Sequence, residues 1–248
     1  MGNRVNSYIE TLKSIKNWDS YLLAESGLPG PRGNLELSKA FAEIGDEKLI
    51  QRYIAIKPEE APENTAKVFL TFCGVVGLGT LINRGKKEYL NKLRLFASDS
   101  RWRIREGVAM AIQRIGDADI TLALREAEEL SHGNFLEKRA AAAAMCEPRL
   151  LKKEAIAIAV LDMLDDITAL IVGFKGKDEA FDVLKKGLAY CWSVAAAACP
   201  EKGKKLIEKW LRSEDKNVVW IMKENLKKNR LTKMDKKWVA EQIEKLGP

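Results

Sequence analysis

The sequence predicts an all-α fold, and two observations carry the prediction: helical periodicity in nearly every segment, and turns that recur at short intervals. In residues 101–115 the apolar side chains fall on one stripe of an amphipathic helix, and Gly116 ends it. Alternating apolar runs bounded by hairpin turns, which would predict strands, are nearly absent. We expect helices of about 10 to 18 residues to pack as antiparallel neighbours, because the turns between them are short.

The composition is that of a globular protein. Of the 248 residues, 46% are hydrophobic and 31% are charged, which fits neither a disordered nor a membrane protein. The longest apolar run, residues 68–82, is too short and too rich in glycine to span a bilayer. The four cysteines lie far apart, there is one histidine, and the first residues lack a signal-peptide pattern. We therefore expect a cytoplasmic protein with buried free thiols, no metal and no cofactor.

A repeated sequence pattern favours a row of stacked helical hairpins over a helical bundle. The pattern is clearest in residues 95–116, LFASDSRWRIREGVAMAIQRIG. One helix ends there in a turn of small and acidic residues, and the next helix begins with alternating apolar and basic residues. Residues 210–226, WLRSEDKNVVWIMKENL, repeat the pattern, and Asp99 and Asp215 are 116 positions apart, or three steps of about 39 residues. The prediction is a right-handed α-solenoid of about six helical hairpins around one continuous core.

The turn and helix at residues 99–106, DSRWRIRE, resemble the HEAT/armadillo repeat superfamily, in which an aspartate turn precedes an apolar-Arg pair and small residues. The resemblance covers residues 86–247 and implies HEAT-like hairpins. It also implies an internal pair between Asp99 and Arg105, which leaves Arg101 and Arg103 freer. We predict a single α-solenoid domain over residues 1–248, with an irregular helical cap at 1–58 and HEAT-like repeats at 59–248.

Two segments rich in glycine invite a ligand hypothesis. The loop at residues 27–33 allows an anion site at a helix N-terminus, formed by Gly30, Arg32, Gly33 and Asn34. A rigid corner between two helices explains the same residues and is favoured. Residues 69–80 lack the Gly-Lys-Ser/Thr ending of a phosphate loop, and no strand precedes them. We predict a tightly packed inner helix there, and a cleft floor against which a ligand lies is the alternative.

Positive charge is concentrated near the end of the chain. Residues 201–248 contain 14 Lys or Arg and 8 Asp or Glu, a net charge of +6 out of the total of +7. A lysine-rich solvated face explains this, and so does a site for a polyanion. Guanidinium groups match phosphate geometry and tryptophan rings stack on bases. The candidate nucleic-acid-binding residues are Arg101, Trp102, Arg103, Trp220, Lys223, Lys227 and Arg230.

The sequence carries no catalytic constellation: it has no nucleophile elbow, no paired histidines and no metal cluster. It therefore predicts a non-catalytic HEAT-repeat binding scaffold whose concave helical surface takes a protein or peptide partner. The alternative is DNA binding, implied by a looser resemblance to the HEAT-like alkylpurine DNA glycosylases, which are small all-helical solenoids with tryptophan and basic residues along a DNA groove. No catalytic aspartate matches their motif, so no catalytic residue is transferred. If the protein is an enzyme, the resemblance implies a glycosylase-like activity.

Overall fold

The structure, a computed structural model, describes residues 2–246, and the all-α prediction is confirmed for them. The solenoid domain was predicted over residues 1–248, and three of these lie outside the described residues: Met1, Gly247 and Pro248. The described residues form fifteen α-helices and no strand: α1 (Asn3–Ser14), α2 (Trp18–Ala24), α3 (Leu35–Ile44), α4 (Glu47–Ile54), α5 (Val68–Asn83), α6 (Tyr89–Phe96), α7 (Trp102–Ala118), α8 (Ile120–Ser131), α9 (Phe135–Met145), α10 (Glu154–Ile171), α11 (Glu179–Ala198), α12 (Pro200–Leu211), α13 (Lys216–Leu226), α14 (Asn229–Met234) and α15 (Lys236–Lys245).

The chain divides into two compact units, Met1–Asp119 and Ile120–Pro248, which we call the first and second units. The prediction of one continuous domain stays a prediction. Across residues 2–246, none of the helices combines the length and the apolar character that crossing a lipid bilayer requires.

The first unit is built around α5, which is buried on every side from Val68 to Ile82. Helices α3, α4 and α7 pack along it, and α2 and α6 also contact it. The neighbours approach most closely at glycines: a Cβ atom on Gly79 would lie 2.6 Å from the carbonyl oxygen of Ala111 in α7, and one on Gly77 would lie 2.9 Å from the Ile50 side chain in α4. The prediction of a tightly packed inner helix is therefore confirmed.

In the second unit, α11 lies between α9 and α13 and also contacts α10 and α12. The buried amide of Asn225 joins α13 to α11: its Nδ2 donates to the carbonyl oxygen of Leu188 at 2.9 Å, and its Oδ1 accepts from the backbone N–H of Ser193 at 2.8 Å. Both partners are backbone groups in the interior of α11. Since a buried polar group is costly to leave unpaired, these bonds fix the position of α13 along α11.

The four cysteines are free and buried, as the sequence predicts. They are Cys73, Cys146, Cys191 and Cys199. Burial raises the pKa of the Cys73 thiol well above its ordinary value. Burial, together with a hydrogen bond to Cys191, does the same to the pKa of Cys146. A thiol with a raised pKa is protonated at neutral pH, and its nucleophilicity is low.

Candidate nucleic-acid interface

Helix α11 exposes only one side, because α9 and α13 flank it and α10 and α12 also pack against it. The exposed residues Asp182, Lys186 and Tyr190 are spaced by four, which places them in one stripe on that side. Trp220 and Lys223, on α13, are spaced by three and are likewise exposed. The two stripes belong to helices that are direct neighbours.

Two contacts between cations and aromatic rings extend this surface to Lys185 and Arg230, which lie outside both stripes. The Lys185 Nζ lies 4.7 Å from the centroid of the Trp220 ring and donates to Asn217 Oδ1 at 2.9 Å. The Arg230 Cζ lies 5.3 Å from the centroid of the Tyr190 ring, and its Nη2 donates to the Tyr190 hydroxyl at 3.2 Å. The first contact joins α11 to α13, and the second joins α11 to α14.

We call this surface the basic aromatic face. It carries five cations and two partly exposed rings, contributed by Lys185, Lys186, Tyr190, Trp220, Lys223, Lys227 and Arg230. Tyr190 is 49% exposed and Trp220 is 37% exposed. Within residues 2–246, Lys186 and Lys223 have no ion-pair partner, whereas Lys227 pairs with Glu224 at 2.5 Å. The surface therefore offers two lysines without an ion-pair partner beside accessible aromatic rings, although the exposed carboxylate of Asp182 lies one helical turn from Lys186.

The start of α13 is fixed by Asp215. Its Oδ1 accepts from the backbone N–H groups of Asn217 and Val218 at 2.9 and 3.1 Å, and its Oδ2 accepts from the N–H of Gly173 at 2.7 Å. Burial by itself would raise the pKa of this carboxyl, but the hydrogen bonds from Gly173, Val218 and Asn217 outweigh it and hold the pKa below the ordinary value. Asp215 thus positions the helix that carries Trp220 and Lys223.

Arg139 of α9 lies at the border with α11. A Cβ atom on Gly187 of α11 would come within 3.2 Å of the Arg139 Cγ, so the arginine side chain lies against that glycine. The Nη1 atom of Arg139 is buried and has no hydrogen-bond partner among the residues that the structure describes.

In the first unit, Arg101 does not have the freedom that the sequence led us to expect. It is 4% exposed, its Nε donates to Asp99 Oδ1 at 2.9 Å, and its Nη2 donates to Asp99 Oδ2 at 2.8 Å. Arg105 donates from Nη1 to the backbone carbonyl oxygens of Asp99 and Ser100. The expectation that Arg101 is freer than Arg105 is therefore wrong, because a residue two positions after Asp99 reaches its carboxylate directly from the turn.

Arg103 is buried as well, and it too was expected to be freer. It is 4% exposed, its Nη2 donates to the carbonyl oxygen of Gly30 at 2.7 Å, and its Nε lies 3.0 Å from Glu63 Oε1. Its Cζ lies 4.4 Å from the centroid of the Trp102 ring, and Trp102 is 40% exposed. Arg103 therefore holds the loop at residues 27–33 against α7 and does not present its charge to solvent.

The proposed anion loop has the geometry of a corner. Asn34 caps α3, since its Oδ1 accepts from the N–H of Leu37 at 3.0 Å. Its Nδ2 donates to the Tyr8 hydroxyl at 3.0 Å and to the carbonyl oxygen of Glu25 at 2.9 Å. Arg32 is exposed, while Gly30 and Gly33 are half-buried. These contacts account for the loop as a structural corner, and anion binding there stays a prediction.

Sequence reasoning identified Trp220, Lys223, Lys227 and Arg230 but missed other residues of the surface. The spacing of Lys186 and Tyr190 by four in a helix was a usable signal. No sequence signal indicates which helix lies beside α11, so the contact of Lys185 with Trp220 had to come from the tertiary structure.

Among residues 2–246, no group of three or more His, Cys, Asp or Glu side chains is arranged to hold a metal ion. No family model matches the sequence, and no curated protein matches it. Among solved structures, the chain is similar to the crystal structure of an engineered protein from the Northeast Structural Genomics Consortium, with 15% identity. The match covers 94% of this chain and 98% of the other at a TM-score of 0.38, and so weak a likeness carries no argument.

Proposed function

We propose that the second unit binds nucleic acid through the basic aromatic face. The observation that carries the proposal is the pairing of Trp220 with Lys185 and of Tyr190 with Arg230 on one exposed surface. Lysine and arginine side chains bind phosphates and release condensed counterions, which supplies most of the affinity in such interfaces. Aromatic rings beside those cations add contacts to sugars or bases.

Within this proposal, α8 to α13 form HEAT-like hairpins of a right-handed solenoid, as the resemblance at residues 99–106 implies. The proposal is supported by the alternation of helices along the chain, in which α11 packs between α9 and α13, while α10 and α12 connect these three helices in sequence. A row of such hairpins presents one side of the second helix of each hairpin to a ligand. The proposal includes no catalytic step. A cytoplasmic location belongs to it as well, since four free buried thiols suit a reducing compartment.

A protein or peptide partner, bound by a non-catalytic scaffold, is the second candidate. Tyrosine and tryptophan are enriched at the centres of protein interfaces, and both are partly exposed on this face. Because the surrounding side chains are cationic, the peptide that fits the surface is an acidic one. The two candidates therefore share a surface and differ in the polymer that occupies it.

The test is a titration of fluorescent single- and double-stranded DNA against the full chain, repeated across a series of salt concentrations. We expect binding that weakens steeply with salt, since each phosphate contact contributes about 0.7 to 0.9 to the slope of log K against log salt. The variant Lys186→Gln/Lys223→Gln removes two unpaired cations of the face, and we expect it to bind less tightly with a shallower slope.

The matched control is Lys205→Gln/Lys236→Gln, which makes the same change of charge on α12 and α15, outside the face. We expect this control to bind like the original protein. If DNA does not bind at low salt, nucleic-acid binding is wrong, and saturable binding of polyglutamate would then support the scaffold. If both double variants weaken DNA binding equally, the charge acts without regard to position and the assignment to this face fails.

A further inference from the structure

We infer that the basic aromatic face selects single-stranded over double-stranded nucleic acid by stacking unpaired bases on Trp220 and Tyr190. This inference rests on the proposed function and specifies the class of its ligand. It is carried by the exposure of the two rings, 37% for Trp220 and 49% for Tyr190, on a surface that also carries unpaired lysines.

Exposed rings distinguish the two kinds of ligand for a steric reason. In a duplex each base is stacked between its neighbours, so the flat surfaces of the bases are covered and only their edges and the phosphates are accessible. In a single strand a base can leave the stack and lie on an aromatic ring. Phosphate contacts to Lys186 or Lys223 are available to either ligand, whereas stacking on Trp220 is available to a single strand alone.

The placement of the cations suits a strand whose bases lie on the rings. Lys223 is three residues from Trp220 on α13, so it lies on the same side of the helix about one turn away. Arg230 contacts the Tyr190 ring and hydroxyl from α14. Each ring therefore has a cation over one face, and a base that stacks on the opposite face brings its own phosphate towards positive charge.

The first unit supplies an internal comparison for this arrangement. Trp102 is 40% exposed and also has a cation over its ring, the Arg103 guanidinium at 4.4 Å. That cation is already occupied by Glu63 and by the carbonyl oxygen of Gly30. Trp102 therefore has the exposure of Trp220 without an available cation beside it, and we expect it to contribute little to strand binding.

The test compares three fluorescent ligands of equal length: an oligothymidylate, an abasic strand with the same phosphates, and a duplex. With the original protein we expect the oligothymidylate to bind more tightly than the abasic strand by about 5- to 150-fold for each stacked base. We expect the preference over the duplex to increase with salt concentration, because each phosphate contact to a duplex loses more affinity with salt than one to a single strand, whereas stacking does not depend on counterion release.

Two tryptophan variants locate the stacking ring. Trp220→Leu keeps apolar volume and removes the flat ring, so we expect the preference for the oligothymidylate over the abasic strand to shrink or vanish. Trp102→Leu is the matched control and is expected to keep the full preference. Circular dichroism verifies that each variant is folded, and if Trp220→Leu is not, the abasic comparison on the original protein decides by itself.

The outcomes separate the two proposals. Equal, salt-dependent binding of the oligothymidylate and the abasic strand overturns the stacking inference and leaves nucleic-acid binding in place. Tighter binding of the duplex that persists at the highest salt concentration overturns the inference as well. Failure of all three ligands to bind at low salt rejects the proposed function and the inference together. If Trp102→Leu removes the preference for the oligothymidylate over the abasic strand and Trp220→Leu keeps it, the assignment of base stacking to the basic aromatic face is wrong.

Discussion

Trp102 in the first unit and Trp220 in the second resemble each other closely in their immediate surroundings. They are 40% and 37% exposed, and the cation over each ring lies at 4.4 and 4.7 Å from the centroid. The cations differ: Arg103 is 4% exposed and forms an ion pair with Glu63, whereas Lys185 is half-buried, donates to the neutral side chain of Asn217, and helps by its charge to lower the pKa of the nearby Asp215 carboxyl. A cation over a tryptophan is therefore not a binding site by itself, because the charges around the pair decide whether it faces solvent.

The largest expected difference between the two pairs comes from removing the cation. We expect Arg103→Ala to lower the free energy of unfolding by about 3 kcal/mol, the lower end of the range for breaking a buried ion pair, because Glu63 is 24% exposed. We expect Lys185→Ala to cost only about 0.5 to 1 kcal/mol, the range for a cation–ring contact near the surface. Urea denaturation of both variants measures the difference.

Equal losses for Arg103→Ala and Lys185→Ala would remove the distinction between a structural and an exposed pair. The control for the arginine is Lys67→Ala, which removes an exposed cation of the same unit that lies 4.0 Å from Glu60. We expect its effect on stability to be within about 0.5 kcal/mol.

Glycine substitutions compare a close helix contact in the first unit with a looser one in the second. A Cβ atom on Gly79 would lie 2.6 Å from the backbone oxygen of Ala111, so we expect Gly79→Ala to destabilise by about 1 to 3 kcal/mol, although alanine favours helix. At Gly187 the new atom would meet only the flexible Arg139 side chain at 3.2 Å, and we expect a change between zero and about 1 kcal/mol of stabilisation. Thermal and urea unfolding measure both, and a neutral Gly79→Ala would contradict the close approach of α5 and α7.

Lowering the pH tests how much Asp215 stabilises the start of α13, the helix that carries Trp220 and Lys223. The pKa of this carboxyl is lower in the folded protein than in the unfolded chain. The ionised carboxylate therefore makes its full contribution to the free energy of unfolding above about pH 4, and this contribution is lost as the pH falls through the folded pKa. We expect Asp215→Ala to cost about 1 kcal/mol at pH 7 through the lost N-cap of α13.

The matched variant is Asp215→Asn, which keeps a capping oxygen but does not titrate. Its free energy of unfolding should fall less between pH 5 and pH 2 than that of the original protein. Identical pH dependence in the two proteins would show that Asp215 has the same pKa folded and unfolded.

The smallest expected effect on stability is that of Lys186→Gln/Lys223→Gln. Both lysines are exposed and, within residues 2–246, neither has an ion-pair partner, so we expect the free energy of unfolding to change by no more than about 0.5 kcal/mol. Urea denaturation measures this. A large loss would mean that these lysines stabilise the fold and are not reserved for a ligand.

Local patterns predicted much of the fold and part of the candidate surface. The stripe in residues 101–115 indicated α7, but the predicted end at Gly116 is wrong, because α7 continues to Ala118. The glycine-rich run at residues 69–80 indicated a buried inner helix. Trp220, Lys223, Lys227 and Arg230 were among the predicted nucleic-acid-binding residues, because tryptophan rings stack on bases and cations bind phosphates. Arg101 and Arg103 were misjudged, since the sequence around them resembles that of an exposed basic helix.

The sequence by itself determined that the chain is helical, that α5 is a tightly packed inner helix and that the thiols are buried, because periodicity and composition are local properties. Only the tertiary structure decided which cations face solvent. Arg103 finds Gly30 at a separation of 73 residues, and Lys185 finds Asn217 at a separation of 32. A side chain's burial and its partners depend on which distant helix packs beside it, and no local pattern specifies that neighbour.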